Sequence, residues 1–236
     1  MIRAVLFDVD GTLYHQPPLR LLMAGELGTA SWVRHAPWNV PRLWRMLSVF
    51  RDVREELRAL GRSDEPLARL QYTKAAERAE VPVDDMEGAV EEWIYRRPLK
   101  YLPRVVRSGM ADVLSALNAR GLRVGAFSDY PVAEKLHAMG LRSMMSLEVD
   151  ATCEAVNAFK PHPRGLEVAC QQWGVSPGDV LYVGDRAEVD ARGAAALEMP
   201  CAIVGSRTEG NSPWPHRHLR HMRDLLALVE GYEDVH

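Results

Sequence analysis

Short runs of apolar residues, rich in valine and isoleucine, constrain the fold of this chain more than any other feature. Four clear runs and a weaker one lie at residues 2–7, 122–127, 179–184, 201–205 and, for the weaker, 145–149. Strands with unbroken apolar runs are typically covered on both faces, as in a parallel sheet. Helical patterns separate the runs, and three of them close on glycines, the usual residue at a left-handed helix end, at Gly121, Gly140 and Gly174. A last helix is expected around residues 218–230. The sequence predicts a doubly wound α/β fold with a parallel sheet.

A helical insertion interrupts this alternation after the first apolar run. Residues 15–105 contain long amphipathic helical patterns and no convincing strand. Pro98 and Pro103 indicate the segment that returns to the sheet, because proline disfavours helix at its own position and just before it. We therefore predict two domains, an α/β core domain and a helical cap domain. The core would comprise residues 1–14 and 106–236, and the cap residues 15–105.

Composition excludes several classes of protein. A formal net charge of −3 provides no overall basic field, so no nucleic-acid partner is expected. The cysteines have no metal-binding or disulfide spacing, and we expect reduced, mostly buried thiols at Cys153, Cys170 and Cys201. The sequence has no apolar run long enough to span a membrane and no signal-peptide pattern. We expect a cytoplasmic protein without an integral membrane segment; the sequence does not define its oligomeric state.

Polar residues collect where the predicted strands end, which is where ligands bind to an open parallel sheet. Along the chain they are Asp8, Asp10, Gly11, Thr12, Ser128, Asp129, Lys160, Asp185 and Asp190. Each residue alone is explained by capping, turn formation or solvation. Their recurrence at strand after strand instead predicts a single site.

Several carboxylates at one sheet edge repel one another and raise each other's pKa unless a cation lies among them. Oxygen ligands of this kind suit Mg²⁺, which takes one or two carboxylates together with substrate phosphate. Beside such a metal, one carboxylate can attack the phosphorus of a phosphate ester while a lysine and a hydroxyl balance its charge. Asp10, two residues after Asp8, is suited to protonate the leaving oxygen and later to activate water.

These residues resemble the motifs of the haloacid dehalogenase-like hydrolase superfamily. The stretch "DVDGT" at residues 8–12 resembles motif one, Ser128 motif two, Lys160 before a proline motif three, and "GDRAEVD" at residues 184–190 motif four. The resemblance spans residues 1–14 and about 106–206. A helical cap between motifs one and two is similar to the subclass whose caps usually close over small substrates. Halide-removing members lack an acid at the position of Asp10, so the resemblance implies a phosphatase.

The resemblance also implies a role for each residue. Asp8 would be the nucleophile that forms an aspartyl-phosphate, and Asp10 the general acid and base. Thr12, Ser128 and Lys160 would bind the phosphoryl group. Lys160 would also be a catalytic residue. Mg²⁺ would be held by Asp8, the backbone carbonyl of Asp10, and Asp185, with Asp190 supporting the metal site or Lys160. The implied reaction is hydrolysis of a small phosphorylated metabolite.

Two alternatives stay open. A phosphomutase of the same superfamily would pass the phosphoryl group to a sugar instead of water. A receiver-like module would be phosphorylated without turnover, because receiver domains also place acids, a hydroxyl residue and a lysine at strand ends. The Asp8 and Asp10 pair and the helical insertion favour the enzyme.

Three other features have weaker interpretations. Asp129 and Tyr130 follow Ser128 and are expected to form a turn, although a ligand contact is possible. The histidines His216, His218 and His221 are expected at a solvated helix start. The insertion is rich in arginine and tryptophan, and we expect tryptophans to pack inward and arginines to face outward rather than to line a pocket for an anion or to meet a membrane. These residues are Arg34, Arg42, Arg45, Arg51, Arg54, Arg58, Trp32, Trp38 and Trp44.

Overall fold

The computed structural model describes residues 1–33, 39–205 and 212–233. Its strands are β1 (Ala4–Phe7), β2 (Arg123–Ser128), β3 (Leu147–Asp150), β4 (Val180–Gly184), β5 (Cys201–Val204) and β6 (Arg217–Leu219). They form one six-stranded sheet in the order β3-β2-β1-β4-β5-β6, and every neighbouring pair is parallel. The predicted parallel α/β fold is confirmed.

Helices precede and follow the strands. The α-helices of the described residues are α1 (Gln16–Val33), α2 (Asn39–Leu60), α3 (Leu67–Ala79), α4 (Val83–Val90), α5 (Arg97–Leu99), α6 (Met110–Ala119), α7 (Ala133–Ala138), α8 (Arg164–Trp173), α9 (Arg192–Ala195) and α10 (Asp224–Glu233). Two π-helical segments cover Glu91–Arg96 and Ala187–Ala191, and 3₁₀ turns cover Leu102–Arg104, Arg142–Met144 and Pro177–Asp179. Helices α1 to α5 all lie between β1 and β2.

The alternating side chains of β1 show why its sequence is an unbroken apolar run. Val5 and Phe7 belong to a hydrophobic core with α6, α7 and α10, whereas Leu6 belongs to a second core with α8. All three side chains are fully buried, and each contributes about 1.5–3 kcal/mol relative to an exposed side chain. The second core continues into α2, α3 and α4. Helices α2, α3 and α4 therefore share a core with one face of the sheet, whereas Leu19 of α1 belongs to the core on the other face.

The two segments that join α1–α5 to the sheet lie side by side. Tyr14 and Val106 form an antiparallel bridge. The backbone N–H of His15 donates to the carbonyl of Val105 at 2.9 Å, and that of Arg107 to the carbonyl of Leu13 at 3.0 Å. The predicted domain boundaries, after residue 14 and before residue 106, fall at this junction. The division into a core and a cap domain stays a prediction.

Short features differ most from expectation. Residues 217–219 form the edge strand β6 instead of the start of a helix, and α10 begins only at Asp224. Of the three residues of β6 only Leu219 is buried, so the sequence carries no apolar run there. Pro98 and Pro103 lie in the first turns of short helices rather than in an extended linker.

Other expectations of the sequence are met. Gly121, Gly140 and Gly174 follow their helices with φ angles of 76°, 70° and 63°. All three cysteines are free; Cys170 and Cys201 are buried, whereas Cys153 is exposed. Among the described residues no helix is long and apolar enough to cross a membrane.

Candidate active site

Asp8 follows β1 directly and lies at the centre of the site. Its backbone N–H donates to the carbonyl of Val183 at 2.8 Å, so the end of β1 is held against β4. Its carboxylate is buried, accepts a hydrogen bond from Oγ1 of Thr12 at 2.9 Å and contacts Nζ of Lys160. Burial raises the pKa of Asp8 well above its ordinary value; Lys160 opposes this, and the nearby carboxylates add to it.

Lys160 joins Asp8 to Asp190. Its Nζ donates to Oδ1 of Asp190 at 2.9 Å and lies 3.3 Å from the hydroxyl of Tyr182. Burial alone would lower the pKa of this lysine, but Asp190 and Asp8 raise it well above its ordinary value. Lys160 is therefore a buried positive charge held between two acids.

Both carboxylate oxygens of Asp190 are engaged by the protein. Oδ1 accepts hydrogen bonds from Lys160 and Tyr182, and Oδ2 accepts them from the backbone N–H groups of Asp185 and Arg186. Burial favours a raised pKa for Asp190, but Lys160 and these donors lower it. Asp190 is thus an ionised anchor for Lys160 and for the loop after β4.

Three acids offer oxygens to a common point. Ligand atoms of Asp8, Asp185 and Asp190 all lie within 4.8 Å of one another. Burial, followed by the charge of Asp190, raises the pKa of Asp185 to about 7. A Cβ on Gly11 would lie 2.0 Å from Oδ2 of Asp185, so this approach requires glycine there. The three acids offer hard oxygen ligands, and the single positive charge of Lys160 does not neutralise all of them. This donor set fits a divalent cation such as Mg²⁺.

The carboxylate of Asp10 is held apart from the acidic cluster. Oδ2 accepts a hydrogen bond from Oγ of Ser128 at 2.8 Å, and Oδ1 accepts from the hydroxyl of Tyr14 and from Nζ of Lys135, each at 2.5 Å. Burial alone would raise the pKa of Asp10, but Lys135 and these hydrogen bonds lower it. The structure therefore separates the two acids of motif one: Asp8 contacts Lys160, and Asp10 contacts Lys135.

No motif or spacing in the sequence indicates that Lys135, Tyr14 or Tyr182 belongs to the site. Lys135 lies in α7 and is buried despite its charge, and Tyr182 lies inside the apolar run of β4. Tyr14 belongs to the connection between β1 and α1. The available signal was position alone, because α7 follows the strand that ends in Ser128.

Asp129 and Tyr130 form a bend, as expected, and they also contact the site. Oδ1 of Asp129 accepts a hydrogen bond from the backbone N–H of Lys160 at 3.0 Å. Oδ2 of the same carboxylate pairs with Arg58 at 2.8 Å. The ring of Tyr130 lies 4.1 Å from the guanidinium carbon of Arg54. The bend therefore connects Lys160 to helix α2.

The expectation for the arginines and tryptophans of the insertion is wrong in part. Arg54 is 2% exposed and lies between the rings of Tyr130 and Phe159, and one of its nitrogens donates to the carbonyl of Asp129 at 2.7 Å. Arg58 donates to the carbonyl of Lys160. Both side chains turn inward because they satisfy carbonyls at the sheet edge.

The other members of this set divide differently. Trp44 is 55% exposed rather than packed inward. Arg42 and Arg45 are exposed as expected, whereas Arg51 is exposed but lines the cavity described next. Arg34 and Trp38 lie outside the described residues, and the side chain of Trp32 does too.

A cavity of about 850 Å³ lies between the sheet edge and the inserted helices. The predicted residues that line it are Asp8, Asp10, Ser128, Lys160, Asp185 and Asp190. Thr12 contacts Asp8 but does not line the cavity. The opposite wall comes from α1, α2 and the segment from Trp93 to Leu102. The structure thus brings the sequence-predicted residues together on one side of this cavity.

The chain matches the family model of haloacid dehalogenase-like hydrolases over residues 2–198. The chain therefore belongs to this family of hydrolases, as the motifs predict. Among curated proteins, phosphoglycolate phosphatase of Shigella boydii serotype 4 (strain Sb227) is 31% identical over 228 aligned residues. That of Escherichia coli (strain K12) is 30% identical. Each alignment covers 86% of this chain and 81% of the relative. The chain is an enzyme of the phosphatase type within this family.

Solved structures agree on the fold. A HAD phosphatase from Thermococcus onnurineus superposes with a TM-score of 0.63 at 21% identity, covering 98% of this chain and 99% of the other. A 2-haloacid dehalogenase from Pseudomonas syringae pv. Tomato DC3000 superposes with a TM-score of 0.68 at 18% identity, covering 98% and 100%. Both likenesses concern the fold alone.

Proposed function

We propose that this protein is a Mg²⁺-dependent hydrolase of small phosphomonoesters that acts through an aspartyl-phosphate on Asp8. One observation carries the proposal: the carboxylate of Asp8 lies at a strand end, between Thr12 and Lys160, and lines the cavity beside Asp185. A nucleophile, a countercharge and an acid for metal binding are thereby present in one place.

In the first step, a carboxylate oxygen of Asp8 attacks the phosphorus atom and the bond between phosphorus and the alcohol oxygen breaks. Asp10 donates a proton to the departing alcohol oxygen; because Lys135 lowers its pKa, Asp10 has to take up this proton when the substrate binds and its contact with Lys135 is broken. Lys160 and the hydroxyl of Ser128 bind the oxygens of the phosphoryl group, and Thr12 keeps Asp8 oriented through its 2.9 Å hydrogen bond.

In the second step, a water molecule attacks the same phosphorus and Asp10 accepts its proton. The bond between phosphorus and Asp8 breaks, which releases inorganic phosphate and regenerates the carboxylate. Asp8, the backbone carbonyl of Asp10, and Asp185 would hold the Mg²⁺, which when bound neutralises charge on the phosphate oxygens. Asp190 keeps Lys160 in position through its 2.9 Å ion pair.

The remaining predictions belong to the same proposal. Helices α1–α5 act as the cap domain, and the substrate is a soluble metabolite in the cytoplasm rather than a nucleic acid. The curated relatives make phosphoglycolate the first natural compound to assay.

Steady release of phosphate from p-nitrophenyl phosphate tests the proposal. We expect many turnovers per enzyme with Mg²⁺ present, loss of activity on chelation with EDTA, and recovery when Mg²⁺ is added back. Release of at most one equivalent would instead support the receiver-like module and contradict hydrolysis.

The phosphomutase alternative needs a separate measurement. The enzyme is incubated with p-nitrophenyl phosphate and an excess of a sugar monophosphate, and both phosphate and p-nitrophenolate are measured. We expect phosphate to appear in an amount equal to the p-nitrophenolate released. A deficit of phosphate, matched by formation of a sugar bisphosphate, would favour the phosphomutase.

A further inference from the structure

The cavity has two chemically different ends. Acids, Ser128 and Lys160 form the end at the sheet edge. The other end is lined mainly by apolar side chains, among them Met23, Val40, Trp44, Leu47, Ile94 and Leu99, with Gln16 and Glu55 also on the helical wall. Phosphate chemistry requires only the first end, so the second end lies where the alcohol part of a substrate would extend.

Within the described part of the chain, each cation that lines the cavity is either paired with a protein group or carried on an exposed side chain. Lys135 pairs with Asp10, Lys160 with Asp8 and Asp190, and Arg58 with Asp129. Arg54 is engaged by a carbonyl and a side-chain amide. The guanidinium groups of three further lining residues are on exposed side chains, namely Arg20, Arg51 and Arg186. Among the residues that the structure describes, no buried cation of the cavity is left unpaired to hold a second carboxylate of a substrate.

The helical wall is docked on the sheet edge, so the cavity volume describes the space that remains when the two sides are in contact. Arg54 and Arg58 of α2 both donate to carbonyls beside the site, those of Asp129 and Lys160. About 850 Å³ is left between the two sides, which is in the range of pockets that enclose drug-sized ligands. A two-carbon alcohol would leave most of the apolar wall uncovered.

We infer that the preferred substrates are phosphomonoesters of apolar alcohols substantially larger than glycolate, with an alkyl or aromatic portion that occupies the space between α1, α2 and residues 93–102. This inference rests on the proposed phosphatase function and names its substrate class. The apolar wall selects the alcohol through burial of carbon surface, and the sheet edge binds the phosphoryl group common to all substrates.

A homologous series of primary alkyl phosphates tests the inference, because the leaving-group chemistry stays constant while apolar length changes. With Mg²⁺ present, kcat/KM is measured for ethyl, butyl and hexyl phosphate and for phosphoglycolate. Each fully buried methylene raises binding about fourfold, so we expect hexyl phosphate to exceed ethyl phosphate at least about tenfold. We also expect it to exceed phosphoglycolate.

A flat or falling series, or a preference for phosphoglycolate, would overturn the substrate class while leaving the phosphatase function intact. Absence of turnover on every ester, including p-nitrophenyl phosphate, would overturn the proposed function itself. The two failures are therefore distinguishable in one set of assays.

Two substitutions on α2 locate the effect. Trp44 lines the cavity and is 55% exposed, so Trp44→Ala should fold normally. We expect it to lower the ratio of kcat/KM for hexyl over ethyl phosphate at least about threefold. Leu60 lies on the same helix, is 72% exposed and does not line the cavity, so Leu60→Ala should keep the original ratio. An unchanged ratio in Trp44→Ala would contradict the placement of the alcohol against α2.

Discussion

The two sides of the cavity are built in different ways. At the sheet edge, short polar side chains extend from strand ends, and hydrogen bonds or ion pairs hold Asp8, Asp10, Lys160 and Asp190. On the helical side, apolar side chains of α1 and α2 line the space, and some of them, such as Trp44, remain half exposed.

This difference separates reaction chemistry from substrate choice. The sheet edge is set by strand register, because parallel strands bring their carboxyl ends to one line whatever the length of the connections. The helical wall has no such register, and its side chains can be exchanged without moving Asp8. Substitutions at the sheet edge should therefore alter every reaction of the enzyme, whereas those on the helical wall should alter the ranking of substrates.

The substitution Asp8→Asn should abolish every reaction that depends on the sheet edge. It removes the nucleophile but keeps a side chain of similar shape beside Thr12 and Lys160, so we expect a loss of turnover of at least about 10⁴-fold on all substrates. Steady-state assays with ethyl and p-nitrophenyl phosphate measure the loss, and circular dichroism checks the fold. Near-normal rates in a folded variant would exclude Asp8 as the nucleophile.

Asp10→Asn should have the next largest effect, and one that depends on the leaving group. Alkyl phosphates need protonation of the departing oxygen, so we expect a loss of about 10²–10⁴-fold with ethyl phosphate. p-Nitrophenolate departs without a proton, so the first step should persist and the second should slow. Rapid mixing should then show a burst of about one equivalent of p-nitrophenolate.

Equal losses on both esters, with no burst, would argue against Asp10 as the acid. Ser128→Ala is a useful comparison, because Ser128 donates to Asp10 but carries no proton for the alcohol in the proposed reaction. We expect that variant to lose activity on both esters by the same factor.

Asp185→Asn tests the metal site, with a smaller expected effect. Replacing one anionic oxygen ligand should raise the Mg²⁺ concentration needed for half-maximal activity about 10- to 100-fold, in the range seen for weakened metal sites. Glu188→Gln, an exposed acid in the same loop, should leave that concentration unchanged. An identical Mg²⁺ dependence in Asp185→Asn and the parent enzyme would remove Asp185 from the metal site.

The residues of the sheet edge were largely predictable from sequence because they lie close to the ends of apolar runs. Asp8, Ser128, Lys160 and Asp185 each adjoin such a run or the helix after it, and a parallel sheet brings those positions together. The weak run at 145–149 also proved to mark a strand, β3. By contrast, only one of the three residues of β6 is buried, so its sequence shows no pattern of apolar residues from which a strand could be predicted.

The helical contribution was not predictable for a physical reason. Lys135 meets Asp10 across 125 residues of sequence, and Arg58 meets the carbonyl of Lys160 across 102. In a single sequence, Lys135 and Arg58 cannot be distinguished from solvated cations on an amphipathic helix. Only the docking of α2 and α7 against the sheet edge distinguishes them from their exposed neighbours.

Two arginines of α2 test how much this helix contributes to the sheet edge. One of them contacts a buried carboxylate there, and the other contacts an exposed carboxylate elsewhere. Arg58 pairs with the buried carboxylate of Asp129 at 2.8 Å, with side-chain exposures of 14% and 8%. Arg42 pairs with Asp85 at the same distance, with exposures of 57% and 51%. Arg58→Met leaves a buried carboxylate without its partner, so we expect it to lower the free energy of unfolding by about 1–2 kcal/mol. Arg42→Met should lower it by less than about 0.5 kcal/mol, because water screens an exposed pair.

Urea unfolding of the two variants, followed by circular dichroism, measures this difference directly. Activity provides the second readout: the carboxylate of Asp129 also accepts the backbone N–H of Lys160, so loss of Arg58 should loosen the loop that carries the lysine. We expect kcat to fall by less than about tenfold in Arg58→Met and to stay unchanged in Arg42→Met. Equal stability losses in the two variants would mean that α2 contributes to the sheet edge no more than an exposed helix does, and the link between the two sides of the cavity would then have to lie in the apolar core that they share.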